Sequence, residues 1–288
     1  MNAMHSASSH TDRNTRTART PAPLLRLSAM LLLAVATQAA AQQHGDFIYL
    51  LEYDSTVTIL GYVGNDSAIE IPSRIQDRPV ASIGRGAFRD NEVLESATLP
   101  ESVTTIRESA FRDAARLESV TLPTRLETIG PYAFSGCTML RSITLPESVT
   151  TIGESAFSGC TRLENVNIPA GVKHIGHWAF RNCTSLESLV IPDRVETIGA
   201  LAFWGCANLK SVTLPESLHT IGRWAFRDCS SLQSVRFKGG APDMGPDLFY
   251  GAKEVTVYRT AAAEGWPPAG ETWADRPTAL WDGPDEKE

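Results

Sequence analysis

Hydrophobic and polar positions along this chain follow a pattern that restarts every 23 residues. Phe88, Phe111, Phe134, Phe157, Phe180, Phe203, Phe226 and Phe249 mark it without a gap. A fixed period in the range of about 20–50 residues means stacked copies of one unit, not a single central core. In the copy IGESAFSGCTRLENVNIP (residues 152–169), Ile152, Ala156 and Cys160 recur four apart beside Phe157. That spacing predicts one face of a short helical or 3-10 turn. Leu163, Val166 and Ile168 follow, the last two alternating with Asn165 and Asn167. Such alternation predicts a short strand with one buried face. Pro169 ends it, because proline has no N–H for a strand ladder.

The other copies keep the same order. Ala110, Ala133, Ala156, Ala179, Ala202 and Ala225 precede the phenylalanines, and Leu117, Leu140, Leu163, Leu186, Leu209 and Leu232 open the strands. One unit buries too little apolar surface to fold alone and leaves its strand unpaired, so its neighbours must cover it. The expected architecture is an α/β solenoid of seven or eight rungs over residues 81–250, with one parallel sheet on one side and the short turns on the other. Terminal rungs must differ to stay soluble. Residues 42–80 lack the Ala-Phe element and read as an N-terminal cap. Residues 251–281, with Trp266, Trp273 and Trp281, read as a C-terminal cap, and the acidic residues 282–288 as a disordered tail.

Residues 1–41 change the compartment expected. Arg13, Arg16, Arg19 and Arg26 precede a short apolar run at residues 27–35, and Ala39 and Ala41 fit a cleavage site. This is the form of a secretory signal peptide. No later run is apolar enough to span a membrane. The segment carries four Arg against one Asp, a net +3, so the formal charge of −7 becomes about −10 in the remainder. That sign opposes nucleic acid and anionic lipid as partners. All five cysteines (Cys137, Cys160, Cys183, Cys206 and Cys229) occupy one repeat position. Their odd number and single column point to buried free thiols acting as small hydrophobes rather than to a disulfide framework.

The unit LxxVxIPxxVxxIGxxAFxxC resembles the bacterial leucine-rich repeats of the BspA-like, or Treponema pallidum-type, class over about residues 80–250. Residues 58–88 resemble the entry module of such proteins. The resemblance implies a leucine-rich-repeat fold and a secreted, periplasmic or cell-surface protein that binds other proteins, in some members as an adhesin. It implies no catalytic residue and no cofactor.

Two surfaces are candidates for that binding. The first is the strand face, where Glu118, Arg141, Glu164, Glu187 and Lys210 share one column. Solenoid sheets are frequent binding surfaces. The competing structural reading is that opposite charges on adjacent rungs simply steady the sheet. The second is an outer aromatic column. Tyr132, Trp178 and Trp224 stand two before the repeat Phe, while Trp204, Arg181 and Arg227 stand one after it. Tryptophan with arginine is the composition of binding hot spots. Here the competing reading is that the rings shield the next rung's edge with arginines stacked on them.

Other chemistry is not indicated. His174, His177 and His219 have no cysteine or carboxylate that completes a tetrahedral metal set. GESAF at residues 153–157 lacks the closing glycine of a nucleophile elbow. No glycine-rich phosphate loop is present. Non-catalytic protein recognition is therefore the expected function, with a glycan or peptidoglycan ligand, or a purely structural envelope role, as alternatives.

Overall fold

Each rung contributes two short strands on different sides of the coil, joined by a run of tight turns. The structure, a computed structural model, describes residues 41–268 and 270–281. The expected tail, and the expected signal segment apart from Ala41, lie outside the described residues. The chain enters through β1 (Gln42–His44), β2 (Phe47–Leu51) and β3 (Val57–Tyr62), which form an antiparallel meander. β4 (Ala68–Glu70) opens one row of strands. β5 (Arg74–Ile75) and β6 (Arg78–Ile83) form a hairpin, and β6 runs parallel to β3.

From β6 onward the two rows advance in parallel. One row holds the two-residue strands Thr105–Ile106, Thr128–Ile129, Thr151–Ile152, His174–Ile175, Thr197–Ile198 and Thr220–Ile221, and ends at Asp243–Met244. The meander, β5 and β6 join it in a single twelve-stranded sheet. The other row runs from β4 through Ser96–Thr98, Ser119–Thr121, Ser142–Thr144, Asn165–Asn167, Ser188–Val190, Ser211–Leu214, Ser234–Phe237 and Thr256–Arg259 to Arg276–Leu280. These are ten strands, more coils than the seven or eight that the Ala-Phe element marks, and they fall into ladders of three, two and five, the last joined by the antiparallel strand Thr272–Trp273. In the two-stranded ladder the Asn167 side chain substitutes for backbone: its Oδ1 accepts from the Leu145 N–H at 2.9 Å and its Nδ2 donates to the Leu145 carbonyl at 2.8 Å.

Two expectations are corrected here. There are two rows of strands, not one sheet, and Ile152 belongs to the row of two-residue strands instead of to a helix. Among the described residues there is no helix at all. The Ala-Phe segment is a series of tight turns, and its hydrogen bonds show why. The amides of Ala133, Ser135 and Cys137 bond within the rung to Gly130, Tyr132 and Phe134. The alternate amides of Tyr132, Phe134 and Gly136 bond to the next rung, at Glu154, Ala156 and Ser158. A helix would keep all of them inside one turn.

Left-handed backbone conformations enforce this alternation. Ser109, Tyr132, Ser155, Trp178, Leu201 and Trp224 have φ between 54° and 59°. Asp113, Gly136, Gly159, Asn182, Gly205 and Asp228 are also left-handed. Gly, Asp and Asn adopt that region readily. Residues there every four positions cannot propagate a right-handed helix.

The core lies between the strand rows and the turns. The eight repeat phenylalanines are buried and stack in one file, with ring centroids 4.9 Å apart at Phe88–Phe111 and 5.9 Å at Phe226–Phe249. That is close to the ~4.8 Å strand spacing, so the sheets set the stacking distance. Tyr62 and Phe47 extend the file at its N-terminal end, with centroids 6.2 Å and 5.1 Å apart along it. All five cysteines are free and buried. Each thiol donates to the Phe carbonyl of the preceding rung, as Cys160 Sγ does to Phe134 at 3.2 Å. In the first rungs Ala114 fills the thiol position, and Asn91 accepts the amides of Val93 and Leu94.

At the C-terminal end Trp266 and Trp273 pack on Phe237, with centroids 4.8 Å and 5.3 Å from it. Trp281 is half-buried and its backbone N–H donates to the Arg259 carbonyl. Arg276 donates to the carbonyls of Phe249 and Ala252 at 2.8 Å and 3.0 Å. It serves the Phe carbonyl that a further cysteine would have served.

Candidate functional site

The turn segments carry their surface residues at fixed heights, so residues 23 apart stand above one another. In the position after the repeat Phe, this brings Arg181, Trp204, Arg227 and Tyr250 into one file. The Arg181 guanidinium lies 4.4 Å from the Trp204 ring centroid. Arg227 lies 5.8 Å from Trp204 on the other side and 4.6 Å from Tyr250. Trp224, from the neighbouring left-handed position, joins through Arg227 at 5.5 Å and also meets Arg223 at 4.6 Å. The result is an unbroken chain of contacts, Arg181–Trp204–Arg227–Trp224–Arg223, with Tyr250 on a side branch. Each guanidinium over a ring face is attracted by the ring's quadrupole.

Carboxylates fix the ring edges. Trp204 Nε1 donates to Asp228 Oδ2 at 2.8 Å, and Trp224 Nε1 donates to Asp247 Oδ2 at 3.2 Å. The Arg227 Nε lies 3.4 Å from the same Asp228 oxygen. Trp204, Trp224 and Arg227 are half-buried, whereas Tyr250 is 56% exposed.

Tyr132 and Trp178 stand outside this chain. Tyr132 donates to Glu154 Oε1 at 2.7 Å and has Arg112 over its ring at 5.4 Å. The Glu154 hydrogen bond, followed by partial burial, raises its phenol above the ordinary value. Trp178 meets the edge of His177 at 6.1 Å. Leu201, the residue between Trp178 and Trp224 in their column, is buried and separates them. Sequence reasoning missed Tyr250, Arg223, Asp228 and Asp247. Tyr250 was readable as the next member of the Arg181–Trp204–Arg227 column, while Arg223 belongs to no aromatic column.

The strand-face residues form a sparser set. Lys210 pairs with Glu187 at 2.8 Å, and Arg141 pairs with Glu164 at 3.9 Å with both side chains more than half exposed. Glu118 makes no ion pair among the described residues, so the expected Glu118–Arg141–Glu164 alternation is only half formed. Exposed pairs of this kind contribute about 0–1 kcal/mol each. The surrounding Ser, Thr and Asn side chains offer no aromatic anchor.

Two of the three candidate histidines have side chains engaged in rung-to-rung bonding. His177 Nδ1 accepts the Ala200 N–H at 2.8 Å, and His174 Nδ1 lies 2.8 Å from the Thr197 hydroxyl. Among the described residues no cluster of three His, Cys, Asp or Glu could hold a metal ion, and no helix is long and apolar enough to cross a membrane.

Comparison with known proteins agrees with the repeat fold. The BspA type leucine rich repeat region matches in six copies, over residues 65–187 and 151–258. The chain is similar to a leucine-rich repeat protein of Bacteroides ovatus, at 25% identity and a TM-score of 0.55, over 76% of this chain and 70% of that one. It is similar to the T. pallidum leucine rich repeat protein at 26% identity and a TM-score of 0.53, over 75% and 91%. A leucine rich cell surface protein of Faecalibacterium prausnitzii matches at 25% identity and a TM-score of 0.55, over 78% and 76%. No curated protein matches the chain. With more than half of its length matched by the repeat model, the chain belongs to the BspA-type leucine-rich-repeat family.

Proposed function

We propose that the protein is a non-catalytic, adhesin-like binding protein acting outside the cytoplasm, and that the arginine–aromatic chain around Trp204 is its recognition surface. The observation that carries this reading is the continuity of that chain across neighbouring rungs. Trp, Tyr and Arg are the residues that dominate binding energy in interfaces. Because they project from a stacked scaffold, ordering them on binding costs little entropy. The Faecalibacterium relative is described as a cell surface protein, which supports the same location here, released or attached.

The glycan alternative is weaker at Trp204. A sugar needs a free ring face, and the guanidiniums of Arg181 and Arg227 approach that ring from the rungs on either side. The test compares two double variants on an array of secreted and extracellular-matrix proteins. Trp204→Ala with Tyr250→Ala should abolish binding, and Glu118→Ala with Arg141→Ala should leave it unchanged. The opposite result moves recognition to the strand face.

A further inference from the structure

We infer that the recognition surface takes an acidic peptide segment, with Arg181 and Arg223 receiving its carboxylates; this rests on the binding role proposed above. Arginine recurs one residue after the repeat Phe, and in three rungs the following residue is an aspartate that pairs with it. Arg89 Nε lies 3.3 Å from Asp90, Arg112 Nε lies 3.2 Å from Asp113, and Arg227 Nε lies 3.4 Å from Asp228. In the rung of Arg181 that residue is Asn182. It keeps the left-handed backbone, at φ 56° against 58° for Asp113 and 57° for Asp228. It also keeps the side-chain placement. Asn182 Oδ1 lies against Gly205 as Asp113 Oδ1 lies against Gly136 and Asp228 Oδ1 against Gly251. What changes is the charge. A neutral amide stands where the other rungs set a carboxylate next to the arginine. The Arg181 Nε is buried without a hydrogen-bond partner, and Arg181 makes no ion pair with a carboxylate among the described residues.

Arg223, at the other end of the contact chain, is exposed and likewise makes no ion pair with a carboxylate among the described residues. Two guanidiniums without a carboxylate partner thus terminate an aromatic stretch whose ring edges are already held by Asp228 and Asp247; this local positive charge, set against a net charge of −7 that opposes an extended anion, fits one short acidic segment. Planar guanidinium donors match the two oxygens of a carboxylate. Charge complementarity therefore selects a segment with acidic side chains, and the engaged ring faces disfavour a purely apolar one.

The experiment uses the protein and a short fluorescein-labelled peptide of alternating Glu and Tyr, with a Gln–Tyr peptide as control, followed by fluorescence anisotropy at low salt. The Glu peptide should bind about tenfold or more tightly than the Gln peptide, the value of a charged hydrogen bond. Asn182→Asp restores the internal pair found in the other rungs. It should remove that preference without lowering the melting temperature, and Arg181→Gln should do the same. Equal affinity of the two peptides, absence of binding, or an Asn182→Asp protein that still prefers the Glu peptide overturns the inference. The outcomes separate the two readings: an array partner lost in Trp204→Ala with Tyr250→Ala but retained in Asn182→Asp keeps the recognition surface and refutes its acidic ligand.

Discussion

The cysteine column shows how one side chain can serve packing and still govern a solution property. Burial removes the thiolate's hydration, which pushes Cys160 and Cys206 up to about 12 and the other three well above their ordinary value. In the folded protein these groups stay protonated, and the S–H keeps its bond to the Phe carbonyl of the rung before. In the unfolded chain they lose their protons near the free value of about 9. The unfolded state then binds fewer protons than the folded one, so stability is complete below pH 9 and falls as pH rises from there toward 12. The melting temperature should decline across that window, and Cys160→Ala with Cys206→Ala should flatten the decline. A thiol reagent at neutral pH should find no reactive cysteine in the native protein and five after denaturation. A thiol that reacts in the folded protein would mean that the column is open to solvent.

At the scale of the turn element, two kinds of glycine do different work. Gly222 stands where rung backbones approach closely: a Cβ there would lie 2.3 Å from the Ala200 N and 2.6 Å from its Cα. Backbone cannot step aside as a side chain can, so Gly222→Ala should cost about 1–3 kcal/mol, read from denaturant unfolding. Gly159 instead has φ 76°, and a Cβ there would make only ordinary contact, 3.7 Å from the Gly136 backbone. Gly159→Asn should be nearly neutral, since Asn182 and Asp113 hold the same conformation in other rungs, and Gly159→Val should not. This turn chemistry explains what was legible beforehand and what was not. The strands containing Val120, Ile143 and Leu189 could be read because alternation around a buried residue is a period-two signal. The row of two-residue strands could not, because Thr151–Ile152 is too short to alternate, and the four-residue spacing from Ile152 to Ala156 imitates a helical face. The run of Asp, Gly and Asn two residues after each Phe was the readable clue against a helix. For the recognition surface, the column through Arg181, Trp204 and Arg227 was visible as a repeat position. The part played by Asn182 depends on the charge beside a neighbouring arginine, and no spacing encodes that. Arg276 was equally hidden, because its partners are carbonyls. Arg276→Ala leaves the Phe249 and Ala252 carbonyls without those donors and should lower stability by about 1–3 kcal/mol, with the earliest loss of amide protection in residues 249–259.

For the molecule as a whole, the contacts that repeat between rungs reach one period along the chain, and an exposed Lys238–Asp193 pair at 2.8 Å reaches two. The strand ladders, the Phe file and the thiol–carbonyl bonds all join a rung to its immediate neighbours, and the ends are closed by Tyr62 and Phe47 on one side and by Arg276, Trp266 and Trp273 on the other. Stability in such an array is a sum of rung terms and interface terms between neighbours. Length should therefore be adjustable in whole units only. Deleting residues 165–187 removes one complete period and joins Glu164 to Ser188, which continues the strand register that Asn165 had. The product should keep a β-rich circular dichroism spectrum and a cooperative, somewhat lower unfolding transition. It would also keep every contact of the Trp204–Arg227–Trp224 chain while losing Arg181, so its binding to the Glu–Tyr peptide should fall as in Arg181→Gln. Deleting residues 165–176 instead places turn residues opposite strand residues on the adjoining rungs. The Phe file and both strand rows lose register together there, and cooperative unfolding should disappear. Equal tolerance of the two deletions would mean that the rungs are not the units of folding.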